Sequence, residues 1–472
     1  MNINETFRSL NVGLPEDILR RKLYGDFDGA IRLIDRRLRQ ENIPQGLRDC
    51  MVAQREMMLR MPVDYPFTRE QALAQIRDRI PDFTEEEFDE RVDAGKIGWI
   101  YLNGQPHYFI RFFKTLCKAD HDFARRAGVQ LGEVEAAAGV AGEEDHLERS
   151  IRLMTERGSL SYRIRIRAQI KMKDEHFVPG LFLRAHLPIP AACEQQRDIV
   201  IEEISPAGGQ IAPEDAPQRT ICWKGTWQEN PVFSVTYSYV HTAAFHDTSH
   251  HAALRPDIGT VQPPGGGELA PFLGEEAPHI VFTPYIRSLA RELTQGTDIP
   301  LEKARRIYDF ITLNMRYSFM PDYFVLENIA ENCARNFTGD CGVFALLFIT
   351  LCRCAGIPAQ WQSGLTAEPD SCGSHDWAMF YVPEQGWLYA DPSYGTAAVR
   401  AGKEERRRFY FGNLDPYRMV ANWQFQGPFT VEKTHWRADP YDNQTGELET
   451  ADRGLRYEEF DRSREILLCQ EL

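Results

Sequence analysis

The chain reads as an α+β protein of several domains, and three observations carry that reading. Apolar residues recur at helical spacing in the N-terminal part, they alternate in the middle, and near the C-terminus an apolar helix is followed by a hairpin. With 472 residues, 43% of them hydrophobic and 11% aromatic, the chain has enough apolar surface for a large core. That size predicts roughly two to four domains.

Residues 1–126 are expected to form a helical accessory domain with a small hairpin. Phe27, Ile31, Ile34 and Leu38 are spaced by four, three and four, one apolar stripe on a helix whose other faces carry arginines and aspartates. Thr68 and Thr84 stand before two further helical segments whose early residues are acidic, as the positive end of a helix dipole prefers. WIYLNGQPHYFI reads as a hairpin turning at Asn103-Gly104. Helices followed by a hairpin also suit a winged-helix DNA binder, but the surroundings are acidic and no basic recognition helix is present, so a packing or substrate-positioning domain is preferred.

Residues 127–157, rich in Gly, Ala and Glu, are expected to be a linker running into a short helix. The period then changes to two. Tyr162, Ile164, Ile166, Ala168, Ile170 and Met172 alternate with Arg163, Arg165, Arg167, Gln169 and Lys171, a strand with one buried and one cationic face. A charge-protected edge explains that face better than an acidic-substrate surface. LFLRAHLPIP, RDIVIEEISP, RTICWKGTW and VFSVTYSYVH continue the series, predicting an antiparallel β domain, sandwich-like, over 158–245. Residues 246–278 are a Pro- and Gly-rich connector. The histidines His246, His250 and His251 within it suggest zinc, but with no partner at ligand spacing a surface loop is the better reading, so no metal and no cofactor are expected.

A formal charge of −15 and a pI near 5.4 argue against nucleic acid and anionic membranes as partners, since attraction to phosphate dominates both. The N-terminus lacks the basic start and apolar run of a leader, and no stretch approaches a membrane span, so a cytoplasmic protein is expected. The ten cysteines form no framework and no CxxC pair, which leaves room for one nucleophile among buried thiols.

The nucleophile is Cys341. Thr338-Gly339-Asp340 make a turn, Cys341 opens a nearly all-apolar helix, and Gly356 and Pro358 end it. A helix N-terminus and a nearby imidazolium lower a thiol pKa, whereas Cys352 and Cys354 lie at the opposite pole and read as structural. Downstream, WAMFYV and WLYA are strands joined by a PEQG turn, and Asp391 ends the second strand. His375 lies sixteen residues before Asp391, close enough for the hairpin to set the two side by side. Cysteine, histidine and acid then supply nucleophile, base and orienting group. Asp376 is a rival acid, set aside because neighbours on a strand face opposite ways.

Gly339-Asp340-Cys341, Gly356 to Ala359, His375-Asp376-Trp377 and Gly386-Trp387…Asp391-Pro392 together resemble the core of the transglutaminase-like superfamily of papain-type thiol enzymes. The resemblance covers about 279–395 firmly and is of the bacterial type with N-terminal accessory domains. It implies that Cys341, His375 and Asp391 form a catalytic triad and that the catalytic helix packs on an antiparallel sheet. The core is bounded at 279–440, with 441–472 taken as an acidic C-terminal tail without a chemical role.

The Cys341 backbone N–H is the expected first oxyanion donor. Animal transglutaminases supply an upstream Trp as the second, but none occurs here between Trp227 and Cys341. Tyr317, Asn336 and Trp377 stand as substitutes or substrate contacts. No EF-hand spacing is present, so calcium control does not carry over. The expected activity is a thiol enzyme that forms a thioester from a peptide, isopeptide or glutamine amide, with a protein or peptide as substrate, and releases it mainly to water. Transfer to an amine is the alternative, and a catalytically idle peptide-binding scaffold the third.

Overall fold

In the computed structural model, Thr68 and Thr84 each cap a helix, Arg69–Arg77 and Glu85–Asp93, by accepting from the N3 amide while the Gln71 or Glu87 side chain returns to the cap's own N–H. The structure describes residues 3–129, 144–248, 269–383 and 385–472. These fall into two compact units. One comprises Met1–Asp145, Glu276–Val281 and Asn314–Asp340; the other comprises His146–Glu275, Phe282–Leu313 and Cys341–Leu472.

The first unit is mainly helical. Its hairpin, Trp99–Leu102 with Gln105–Tyr108, turns at Asn103 and Gly104, both with positive φ, the turn whose twist matches that of the strands. One core gathers Ile76, Phe83, Phe88, Tyr108, Phe112, Leu116 and Phe123, with Phe319 packed against it. The segment before Cys341 is thereby woven into the N-terminal helices. The Phe324 ring meets Phe7 edge-on at 4.8 Å and lies 3.4 Å beneath the Arg60 guanidinium, and Glu327 pairs with Lys22. The sequence reading had placed 279–340 entirely with the chemical core; contacts with helices about 300 residues earlier leave no local mark on the sequence.

The second unit holds two four-stranded antiparallel sheets and one five-stranded sheet. The alternating strand spans Ser159–Met172 and lies between Phe233–Ala244 and Phe460–Glu471, with Gln196–Ser205 beyond. Leu181–Pro188 pairs with Thr220–Trp227 and with Glu447–Glu449. The supposed tail therefore supplies two strands to these sheets. In Phe460–Glu471 charged residues from Asp461 to Glu465 precede Ile466, Leu467, Leu468 and Cys469, so no alternation marked this edge strand.

The five-stranded sheet runs Phe411–Gly412, Gly386–Ala390, Ser371–Val382, Ala359–Glu368, Arg418–Asn422, antiparallel throughout. The helix Cys341–Cys354 packs on it, Phe348 meeting Phe380 with ring centroids 5.6 Å apart. Every residue from Gly342 to Arg353 is buried, which is why the segment is apolar all round rather than striped. Gly364 lets the Arg418–Asn422 strand approach, since a Cβ there would collide with the Met419 carbonyl.

Residues 130–143 of the expected linker and 249–268 of the expected connector, with His250 and His251, lie outside the described residues. His246 is described: it exchanges backbone hydrogen bonds with the Asn413 side chain at 2.6 and 3.0 Å. Among the described residues no group of three or more His, Cys, Asp or Glu is arranged to hold a metal, and no helix is long and apolar enough to cross a membrane.

Candidate active site

Cys341 is the first residue of its helix and is partly exposed. Its Sγ lies 3.3 Å from Asp376 Oδ2, as donor to it. The strand's alternation explains the contact. Asp376 shares its row with Phe380, whose ring meets Phe348 of the helix, so the acid set aside because of alternation is the one that alternation turns toward the helix. Cys352 is fully buried at the far end of the helix, and burial pushes its thiol well above the ordinary range. Cys354 is raised by burial as well.

His375 is anchored one residue earlier, about 3.8 Å along the backbone. Its Nε2 lies 2.6 Å from Asp391 Oδ2, both groups buried. The hairpin produces this proximity: Ala378 is the register partner of Ala390, so the chain leaving the shorter strand brings Asp391 alongside His375. The other oxygen of Asp391 is also held. Oδ1 accepts from Ser393 Oγ at 2.9 Å and from the Tyr394 N–H at 3.0 Å, which makes Asp391 the N-cap of the helix Pro392–Arg400. The Tyr394 ring borders the imidazole at 4.9 Å.

A cation that the sequence reading missed completes this group. Arg418, fully buried, sets one guanidinium nitrogen 2.9 Å from Asp391 Oδ2 and donates Nε to Asp415 Oδ2 at 3.0 Å. Its guanidinium also lies 4.5 Å from the Tyr394 ring and 5.4 Å from that of Trp377. Burial alone would raise the Asp391 carboxyl, but the charges of His375 and Arg418 hold it well below the usual carboxylate range. The available signal was an arginine opening the apolar strand Arg418–Asn422 three residues after an aspartate.

The stretch 433–447 also reaches the site. Gln444 Nε2 donates to the His375 carbonyl at 3.1 Å and to Asp376 Oδ1. Asp442 is buried beside Ser363 and Asp376, and burial pushes its carboxyl above the ordinary range. From the following strand, Arg464 donates to Ser374 Oγ at 3.0 Å. Nothing in the local sequence marks Gln444, which lies 68 residues from Asp376.

Of the three further candidates, Trp377 is corrected. It is fully buried, its Nε1 donating to Gln362 Oε1 at 2.8 Å, and packs with Met379 and Trp387, a core residue with no face left for substrate. Tyr317 is the register partner of Gly339, two residues before Cys341, and the Lys118 ammonium stands 4.2 Å from its ring centroid. Asn336 is exposed at the end of the helix Ile329–Asn336, and its carbonyl accepts from Thr338 Oγ1 at 3.1 Å. Both belong to the first unit.

Residues 287–392 match the profile of the transglutaminase-like superfamily, so this part of the chain is a transglutaminase-like domain. Among curated relatives, the uncharacterized protein YebA of Bacillus subtilis is 28% identical over 129 residues, 23% of this chain and 17% of that protein. A protein-glutamine gamma-glutamyltransferase of Pseudomonas aeruginosa is 29% identical over 128 residues, 25% of this chain and 19% of the relative. The chain thus spans less than a fifth of the length of either. A crystal structure from Cytophaga hutchinsonii, described as a candidate cysteine protease, is similar with a TM-score of 0.40 and 15% identity, over 66% of this chain and 91% of that one.

Proposed function

We propose that the chain is a cysteine enzyme that takes an acyl group from a peptide, isopeptide or glutamine amide onto Cys341 and releases it mainly to water. The observation that carries this reading is the buried His375–Asp391 pair at 2.6 Å, set one residue from the carboxylate that holds the Cys341 sulfur. Because Nε2 is committed to Asp391, Nδ1 is the ring nitrogen that would exchange a proton with the thiol once substrate is bound. As sulfur attacks the amide carbon, its proton passes to His375. Collapse of the tetrahedral species breaks the C–N bond, and His375 returns the proton to the leaving amine. Water then attacks the thioester with His375 as base, giving the carboxylic acid and the free thiol. The Cys341 N–H at the helix start serves as one oxyanion donor.

Transfer to an amine is the second reading, favoured by the likeness to a protein-glutamine gamma-glutamyltransferase. Efficient transfer needs an acceptor channel that excludes water. The upstream Trp of animal transglutaminases is missing here, and Trp377 is buried in the core. The test is product partitioning. A labelled glutamine peptide is supplied with rising concentrations of a primary amine, and acid and amide products are quantified, with Cys341→Ala as control. Acid is expected to dominate at low millimolar amine, and the control to be inactive yet to keep the folded circular-dichroism signal. Amide as the main product would replace the hydrolase reading with the transferase; turnover by folded Cys341→Ala would remove the nucleophile.

A further inference from the structure

Papain-type chemistry is often pictured as a thiolate and an imidazolium formed in advance of substrate. The groups around Cys341 and His375 here oppose that charge separation from both ends. At the sulfur, the Asp376 carboxylate lies 3.3 Å away and accepts the thiol proton. It is buried, so a thiolate beside it would place two like charges together with little water to screen them. Gln444 Nε2 donates to the other oxygen, which fixes the carboxylate and favours its ionised form. Burial pushes the carboxyl of the neighbouring Asp442 above its ordinary range.

At the imidazole, Asp391 is the group that would stabilise a positive ring, but its Oδ2 is shared with the Arg418 guanidinium at 2.9 Å. A carboxylate already facing a buried arginine has less to offer a second cation. On the sulfur side the described residues include Asp376 and Asp442, with Asp439 beside Asp442, and on the imidazole side Asp391, Arg418, Asp415 and Tyr394.

We infer that, without substrate, this site keeps its proton on the Cys341 sulfur, and that Asp376 and Arg418 are the positioning residues that hold it there. The inference rests on the reading of Cys341 as the nucleophile. Its consequence is a nucleophile that is quiet until substrate displaces the thiol from Asp376; only then does sulfur give its proton to His375 as the C–S bond forms. The helix N-terminus pulls the other way, toward thiolate, but falls off within one turn and is opposed here by a full charge in contact.

The experiment is the pH dependence of alkylation of Cys341 by iodoacetamide, read on its own peptide by mass spectrometry in the full-length chain. Carbon–sulfur bond formation expels iodide, the thiol proton goes to solvent, and the rate follows the thiolate fraction. The wild-type protein is expected to show its inflection at or above about 8.5, the value of an unperturbed thiol. Asp376→Asn should lower it by about one unit or more, a rise of roughly tenfold in alkylation rate at neutral pH, while Asp376→Glu keeps the wild-type midpoint. Arg418→Gln combined with Asp415→Asn, which leaves no buried carboxylate unpaired at position 415, should also lower it. A wild-type inflection clearly below about 8.5, or an Asp376→Asn midpoint that does not fall, overturns the inference; the wild-type measurement stands even if a variant does not fold. Because alkylation reports thiol ionisation and not turnover, it is separate from the Cys341→Ala activity test of the parent reading.

Discussion

Asp391 has four partners, and each constrains what its loss would do: His375 and Arg418 on one oxygen, Ser393 and the Tyr394 N–H on the other. Asp391→Asn keeps the shape but offers an amide where Nε2 expects a carboxylate, so His375 loses its orientation and its support as an imidazolium. By analogy with the serine triad, turnover should fall on the order of 10⁴-fold. Stability has a defined pH signature. The folded-state pKa of Asp391 is depressed, so its stabilisation is complete above the unfolded value of about 3.9 and is lost as pH falls toward the folded one. The deficit of Asp391→Asn in urea melts should be the same at pH 7 and pH 5 and shrink only in stronger acid. Unchanged turnover would move the orienting role to Asp376; a deficit already shrinking between pH 7 and 5 would contradict the depressed pKa.

The strand Phe460–Glu471 shows how an element can act on a site that it does not enter. It pairs with Ser159–Met172 along almost its whole length, adds the Arg149–Glu471 and Arg157–Glu471 ion pairs, and reaches the active-site strand through Arg464 and Ser374. Ending the chain after Glu459 would turn the arginine-rich strand into an open edge and remove that buttress. We expect the thermal midpoint to drop by at least about 5 °C, the scale that roughly 2 kcal/mol sets for a unit of this size, and activity to fall with it. A truncated chain with wild-type melting and turnover would show the segment to be the dispensable tail that its composition suggested.

At the scale of the molecule, the burial of His186, His241 and His279 bears on acid stability. Burial pushes His241 and His279 down to about 3, and His186 well below its ordinary range. The unfolded chain takes up these protons near pH 6.5 and the native chain does not, so stability is full above about 6.5 and is lost as pH falls toward the folded values. One group costs about 1.4 kcal/mol per pH unit below its unfolded pKa, and three cost about 4. Urea midpoints should therefore fall steadily from pH 7 to pH 5, and His241→Gln should flatten the slope by about a third. A midpoint independent of pH over that range would mean that these rings are protonated in the native state.

What the sequence determined was whatever depends on near neighbours. The alternation from Tyr162 to Met172, the threonine caps, the Asn103-Gly104 turn, the apolar helix opening at Cys341 and the sixteen residues from His375 to Asp391 are all set by periodicity or by one hairpin. These were enough to read the α+β class, the transglutaminase-like core and the His375–Asp391 pairing from residues alone. Tertiary structure decided the rest: that Arg418 shares Asp391, that Gln444 holds Asp376, that Asp376 meets the Cys341 sulfur, that Trp377 is core, and that 314–340 packs with the N-terminal helices. The physical reason is that a buried ion pair or a long-range strand pairing is specified by which surfaces come together. A lone arginine or glutamine looks the same in sequence whether it ends in solvent or against a buried acid.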